Sequence, residues 1–173
     1  MRPGKSPLTI REIDRFPGEF RHGGVERGAG AGRPGMNEAR IRASFSRQAF
    51  MGTLGASLGR MAPGEVEILL PIQGALLQQN GFVHAGVSTA IADSACGYAA
   101  LSLMPDDADV LSVEFKVNLL SPAVGSSLVA RGQVIRAGRT LSVCRATVFG
   151  VSAGGDEKPV LEMQGTMMTV PLP

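Results

Sequence analysis

The spacing of apolar residues changes period three times along this chain. Behind Asn37, a residue type that caps helices, Ile41, Phe45 and Ala49 recur every four positions, which predicts a short amphipathic helix over 37–50. Residues 51–63 contain Gly52, Gly55, Gly59 and Pro63 and predict an irregular connection. Val66, Ile68, Leu70 and Ile72 then alternate with other residues, the pattern of a first strand. Residues 81–100 are apolar nearly all round and rich in small side chains, which predicts a buried helix of about 16 residues that a sheet can wrap closely. After Pro105-Asp106-Asp107 the period is two again. Over 110–120, Leu111, Val113, Phe115, Val117 and Leu119 oppose Ser112, Glu114, Lys116 and Asn118. Further strands are expected over 126–136, 140–151 and 159–170, the first two joined by a hairpin at Ala137-Gly138-Arg139. Helix, strand, buried helix and four strands make an α+β class with a mainly antiparallel sheet.

Composition divides the 173 residues unevenly. Residues 1–36 hold eight of the 23 Gly, four of the 11 Pro and seven basic residues against four acidic ones, with no sustained period. They read as a flexible Gly/Pro/Arg-rich N-terminal extension, and Met36 as a candidate true start. Gly28-Ala29-Gly30-Ala31-Gly32 lacks the Lys-Ser/Thr of a phosphate loop and reads as linker. The remainder, 37–173, is a single domain carrying ten basic and eleven acidic residues. The sequence pI of about 8.8 therefore belongs to the extension. With one Tyr and no Trp, this argues against a nucleic-acid partner. Cys96 and Cys144 match no metal or redox spacing and suit a reduced, cytoplasmic setting. With only His22 and His84, no metal site is expected. No signal-peptide core or membrane span is expected either.

A carboxylate within an apolar helix is costly unless it is hydrogen-bonded or performs a task, so Asp93 either pairs locally or does chemistry. His84 begins the same helix, as a turn-shaping partner or as part of a site. The unpaired N–H groups of Ala85 and Gly86, at the positive end of the helix dipole, are candidate oxyanion donors. Nine residues put His84 and Asp93 about 13 Å apart along one helix, so both reach one carbonyl only if one comes from a second copy of the chain. Catalysis by this pair implies a homodimer with shared active sites.

The segment Gly81-Phe82-Val83-His84-Ala85-Gly86, with Asp93 nine residues after the His and then Gly97-Tyr98-Ala99-Ala100, resembles the signature of PaaI-like hotdog-fold acyl-CoA thioesterases, of the 4HBT-type thioesterase superfamily. Residues 112–123, Ser112-Val113-Glu114-Phe115 through Ser121-Pro122-Ala123, and the hairpin Gly138-Arg139-Thr140-Leu141 are similar to that family as well. The likeness spans about 37–171. It implies an antiparallel sheet wrapped around a long central helix, and hydrolysis of acyl-CoA to free acid and coenzyme A. Coenzyme A is part of the substrate, and no further cofactor is implied.

By the same resemblance Asp93 is general base or nucleophile, supplied by the facing subunit. His84 orients the thioester region, and the N–H of Ala85 or Gly86 is the oxyanion donor. Ser112 helps hold the attacking water, and Arg139 is a candidate contact for the coenzyme phosphates, with Lys116 a weaker one. Where the family commonly has Asn six residues before the His, this chain has Gln78 with Asn80 nearby, and either fits that role. The usual His-Gly-Gly is His84-Ala85-Gly86 here. Gln48 reads as an exposed helix residue or a lining of the site, and Phe50, Phe82, Leu103 and Met104 as candidates that shape the acyl pocket. The family often assembles as a homotetramer of dimers. A hotdog hydratase or dehydratase and a non-catalytic acyl-CoA-binding domain are the rival readings; the nine-residue gap argues against the first and the acid in the helix against the second.

Overall fold

The computed structural model describes residues 36–172. The N-terminal extension therefore lies outside the described residues, except for Met36, which packs against the core. The Asn37 side chain caps α1 (Glu38–Ser46) by accepting from the Arg40 N–H at 3.1 Å, as the sequence predicts. The helix expected to run on to residue 50 breaks, however. Arg47 and Gln48 turn back onto the carbonyls of Ser44 and Phe45, and a separate α2 (Ala49–Leu54) follows. Ser46 donates to the Ala43 carbonyl at the break, local bonding that competes with helix continuation.

The irregular connection expected over 51–63 is a second correction. Gly55, at φ +77°, ends α2 in the left-handed region, and β1 (Ser57–Ala62) then pairs antiparallel with β2 (Glu65–Pro71). β1 is an edge strand with Gly59 inside it and no clean alternation of burial, so its period gives no signal. The long helix α3 (Ala85–Leu101) follows, then β3 (Ala108–Leu119), β4 (Ser127–Ala137), β5 (Leu141–Val151) and β6 (Glu157–Pro171). The sheet has six antiparallel strands in the order β1-β2-β4-β5-β6-β3.

The sheet wraps α3. Inward residues such as Ile68, Leu128, Ala146 and Leu161 are buried against Ile91, Ala92, Ala95 and Ala99 of the helix. Small side chains let the layers approach until backbone meets backbone. A Cβ on Gly132 of β4 would lie 2.3 Å from the Ala95 carbonyl, so only glycine fits there. On the outer face Arg131 bridges Glu67 at 2.9 Å and Glu157 at 2.6 Å, and its guanidinium lies over the Phe149 ring.

The alternation expected over 110–120 is also corrected, and the correction matters for the site. Ser112 pairs with Met167 but Glu114 with Thr166, so Val113 is a bulge. The bulge reverses the facing of the strand, and Ser112 leaves the polar face of Glu114 and Lys116 to point toward α3. Cys96 and Cys144 are free, buried thiols. Among the described residues, no helix is long and apolar enough to cross a membrane, and no group of His, Cys, Asp and Glu is placed to hold a metal ion.

Candidate active site

Two clefts open along α3, one at each end of β3. The helix begins where His84 acts as N-cap, its Nδ1 accepting from the Gly86 N–H at 2.9 Å. The His84 N–H donates to the Leu76 carbonyl and the Val83 N–H to the Ala123 carbonyl, which pins the entry of the chain into the helix. With Gly86 engaged by the imidazole, the Ala85 N–H is the first-turn donor without a protein acceptor among the described residues. Ala85 lines a cleft of about 430 Å³ together with Gln78, Phe82, Leu119, Leu120 and Val160.

The sequence left Gln78 and Asn80 as equal candidates, and the structure separates them. Gln78 lines this cleft, while Asn80 is exposed and does not. Asn80 acts on Gln78 instead: its backbone N–H donates to Gln78 Oε1 at 2.6 Å, leaving the amide NH₂ group to face a ligand. Of the four residues expected to shape the acyl pocket, Phe82 lines this cleft. Phe50 is exposed, Met104 is buried, and Leu103 packs beneath Gly64; none of the three lines either cleft.

Asp93 lies about 13 Å further along the helix, in a second cleft of about 320 Å³. It is half-buried, and Ser112 Oγ donates to its Oδ1 at 2.6 Å. The local-pairing account of Asp93 is thus realised, but with a partner that faces open space, which also suits a reacting carboxylate. Gln48, ambiguous in the sequence, lines this cleft, and its Oε1 accepts from Ser94 at 3.4 Å. The break between α1 and α2 is what turns it there. Arg47, Asp109 and Tyr98, the last a member of the family motif but with no site role expected from the sequence, also line the wall. Burial pushes the Tyr98 phenol up, with Asp109 acting in the same direction and Ser44 and Arg47 against it. Arg47 carries no period signal, because it sits in the break. Ser88, in the Ala85 cleft, was also passed over.

Arg139 is exposed in the β4–β5 hairpin and touches neither cleft. Its neighbour Thr140 accepts from the Thr169 N–H, and Thr169 pairs with Val110 of the Asp93 cleft, so the hairpin flanks that end of the sheet. Lys116 is exposed on β3.

One helix thus presents a carboxylate with a positioned hydroxyl at one place and a free N-terminal N–H at another, in clefts that share no residue. The described fold is also that of known proteins. A thioesterase family protein from Silicibacter pomeroyi is 47% identical in sequence and superposes with a TM-score of 0.75, covering 77% of this chain and 97% of that one. The family model described as "Thioesterase superfamily" matches residues 80–152. The chain belongs to the thioesterase superfamily. Its general activity is accordingly thioester hydrolysis. A Halobacterium salinarum protein provisionally named an esterase is 29% identical over 126 residues, covering 70% of this chain and 83% of its own. The Escherichia coli PaaI protein from the phenylacetic acid degradation operon shares the fold, with a TM-score of 0.67, 20% identity and coverage of 76% of this chain and 91% of that one. Within this superfamily frame, the sheet wrapped around α3 is the hotdog architecture expected from the sequence.

Proposed function

We propose that this thioesterase hydrolyses acyl-CoA to the free acid and coenzyme A, in active sites each assembled from two copies of the chain. The observation that carries the reading is the placement of the two clefts at opposite ends of one edge strand. Asp109, Val110 and Ser112, at the start of β3, line the Asp93 cleft; Leu119, at its end, and the adjacent Leu120 line the Ala85 cleft. Two β3 edges paired antiparallel about a twofold axis bring the Asp93 cleft of each copy against the Ala85 cleft of the other. β3 invites such pairing, since it is a long unpaired edge with Leu111, Val113, Phe115 and Leu119 exposed. Pairing of dimers into a tetramer is compatible with this arrangement.

In such a site Asp93 of one copy faces the thioester held at Ala85 of the other. Ser112 occupies Oδ1 of the carboxylate, leaving Oδ2 to take a proton from water as the water oxygen attacks the carbonyl carbon. The carbonyl oxygen becomes an oxyanion that accepts from the Ala85 N–H at the positive end of α3, with the Gln78 amide beside it. Collapse breaks the carbon–sulfur bond, and the proton on Asp93 passes to the departing thiolate. His84 orients the turn through its bond from Gly86. Arg139, exposed in the hairpin that flanks the Asp93 end of the sheet, is the residue we assign to the coenzyme phosphates. The test is thiol release from a panel of acyl-CoAs by the wild-type protein and by Asp93→Asn. Release by the first and its loss in the second is expected; equal release by both would overturn the assignment.

A further inference from the structure

Ser88 is the exception in the Ala85 cleft. Its residue exposure is 2%, and its hydroxyl is buried with no hydrogen-bond partner among the described residues. A serine in a helix ordinarily meets this need by bonding back to the carbonyl four residues earlier, here that of His84. Ser88 does not, and the His84 carbonyl is already taken by the Val87 N–H. The lining around it is mostly apolar, with Phe82, Leu119, Leu120, Pro122 and Val160, and its other polar side chains, Gln78 and Ser121, each have a hydrogen-bond partner. A buried hydroxyl left unpaired is destabilising, because it has given up its bonds to water and gained none in return. Such a group is satisfied when a ligand brings an oxygen to it.

The position sets which oxygen. Ser88 follows Ala85 by three residues, about 4.5 Å of helix rise and nearly the same helix face. A thioester oxygen held at the Ala85 N–H therefore places the third carbon of the acyl chain within reach of the Ser88 hydroxyl. Resting on the acyl-CoA reading above, we propose that Ser88 is a specificity-determining residue that selects acyl groups bearing a hydroxyl or oxo oxygen on the third carbon. A pocket that pairs a polar group discriminates more strongly against an analogue lacking it than an apolar pocket does against an extra methylene.

The experiment compares kcat/KM for 3-hydroxyhexanoyl-CoA and hexanoyl-CoA, followed by thiol release, in the wild type and in Ser88→Thr and Ser88→Val. These two variants have the same shape and differ in the hydroxyl, so packing or folding effects fall on both. The expected result is a preference of about tenfold for the hydroxylated substrate in the wild type, kept in Ser88→Thr and abolished in Ser88→Val. An equal preference in the two variants, an equal loss on both substrates, or no preference in the wild type would overturn the proposal. No thiol release from any acyl-CoA would instead overturn the acyl-CoA reading, and this inference with it.

Discussion

Ser112 Oγ donates to Asp93 Oδ1 at 2.6 Å, across the gap between β3 and α3. The contact exists because Val113 is a bulge; without it Ser112 would share the outer face with Glu114 and Lys116. Removing the carboxylate while keeping its shape, in Asp93→Asn, is expected to lower kcat by about 10²–10⁴. Ser112→Ala, which leaves the base in place but unheld, is expected to cost about tenfold. Steady-state thiol release measures both, and a larger loss in Ser112→Ala than in Asp93→Asn would contradict these roles.

The oxyanion donor can be deleted with little disturbance to the fold. Ala85 is the first residue of α3, where proline is tolerated because that N–H has no helical partner. His84 already has φ −60° and ψ 135°, the extended backbone that a following proline requires. Ala85→Pro is therefore expected to keep its melting temperature within a few degrees and to lose about 10²–10³ in kcat. Wild-type turnover by the folded variant would rule out the Ala85 N–H as donor.

The residues legible in the sequence were those whose chemistry conflicts with their surroundings. Asp93 interrupts an apolar helix and His84 begins it, so pattern alone singled them out, and the helix length alone demanded a second chain. What pattern could not supply was geometry that depends on a one-residue register change or on the path of a short connection. The bulge at Val113 is invisible to a period of two, and alternation assigned Ser112 to the wrong face. The break after Ser46 rests on local hydrogen bonds, which the period of the helix does not carry, so neither Gln48 nor Arg47 has a sequence signal that fixes where it faces. β1 lacked a signal because an edge strand with a central glycine needs no buried face. Ser88 stood unnoticed because a serine among small helix residues looks ordinary until its hydroxyl is found without a partner.

Close contact between α3 and β4 makes Gly132 a sensitive core position. Its absent Cβ would meet the Ala95 carbonyl at 2.3 Å, and neither partner is a side chain that could swing away. Gly132→Ala is expected to destabilise by about 1–3 kcal/mol or more through overpacking, and Gly132→Val further. Urea denaturation would show this as a lowered midpoint with little change in slope. A midpoint equal to wild type would mean that the helix moves off the sheet at little cost.

Alkaline pH is expected to weaken the fold through its buried thiols. Burial pushes Cys144 up to about 12 from 9.0, and pushes Cys96 up still more strongly, with Cys144 and Asp93 acting in the same direction. A raised pKa means that the folded state holds its proton where the unfolded state has lost it. Stability is therefore intact below about pH 9 and falls above it, by up to about 1.4 kcal/mol per pH unit for each thiol. Melting temperature measured from pH 7 to 11 should fall above pH 9, less steeply in Cys144→Ala. A slope that is identical in that variant would assign the alkaline loss to other groups.

The two-chain site makes the sharpest prediction, because it can be tested by mixing inactive proteins. The Asp93 cleft takes β3 residues 109, 110 and 112, and the Ala85 cleft takes Leu119 and Leu120, so the twofold axis falls near Phe115. Phe115 is 44% exposed and lines neither cleft, and Phe115→Lys would set two like charges against each other across that axis. Sedimentation should show a monomer, with thiol release lost although both clefts are intact in each chain. Asp93→Asn and Ala85→Pro proteins, each inactive alone, should complement when unfolded together and refolded as a mixture. Half of the dimers are then mixed, and each mixed dimer holds one site with both native groups, so about a quarter of wild-type activity should return. Complementation depends on Asp93 and Ala85 acting across chains. Recovery no greater than the sum of the separate variants would place both groups of each site in a single subunit.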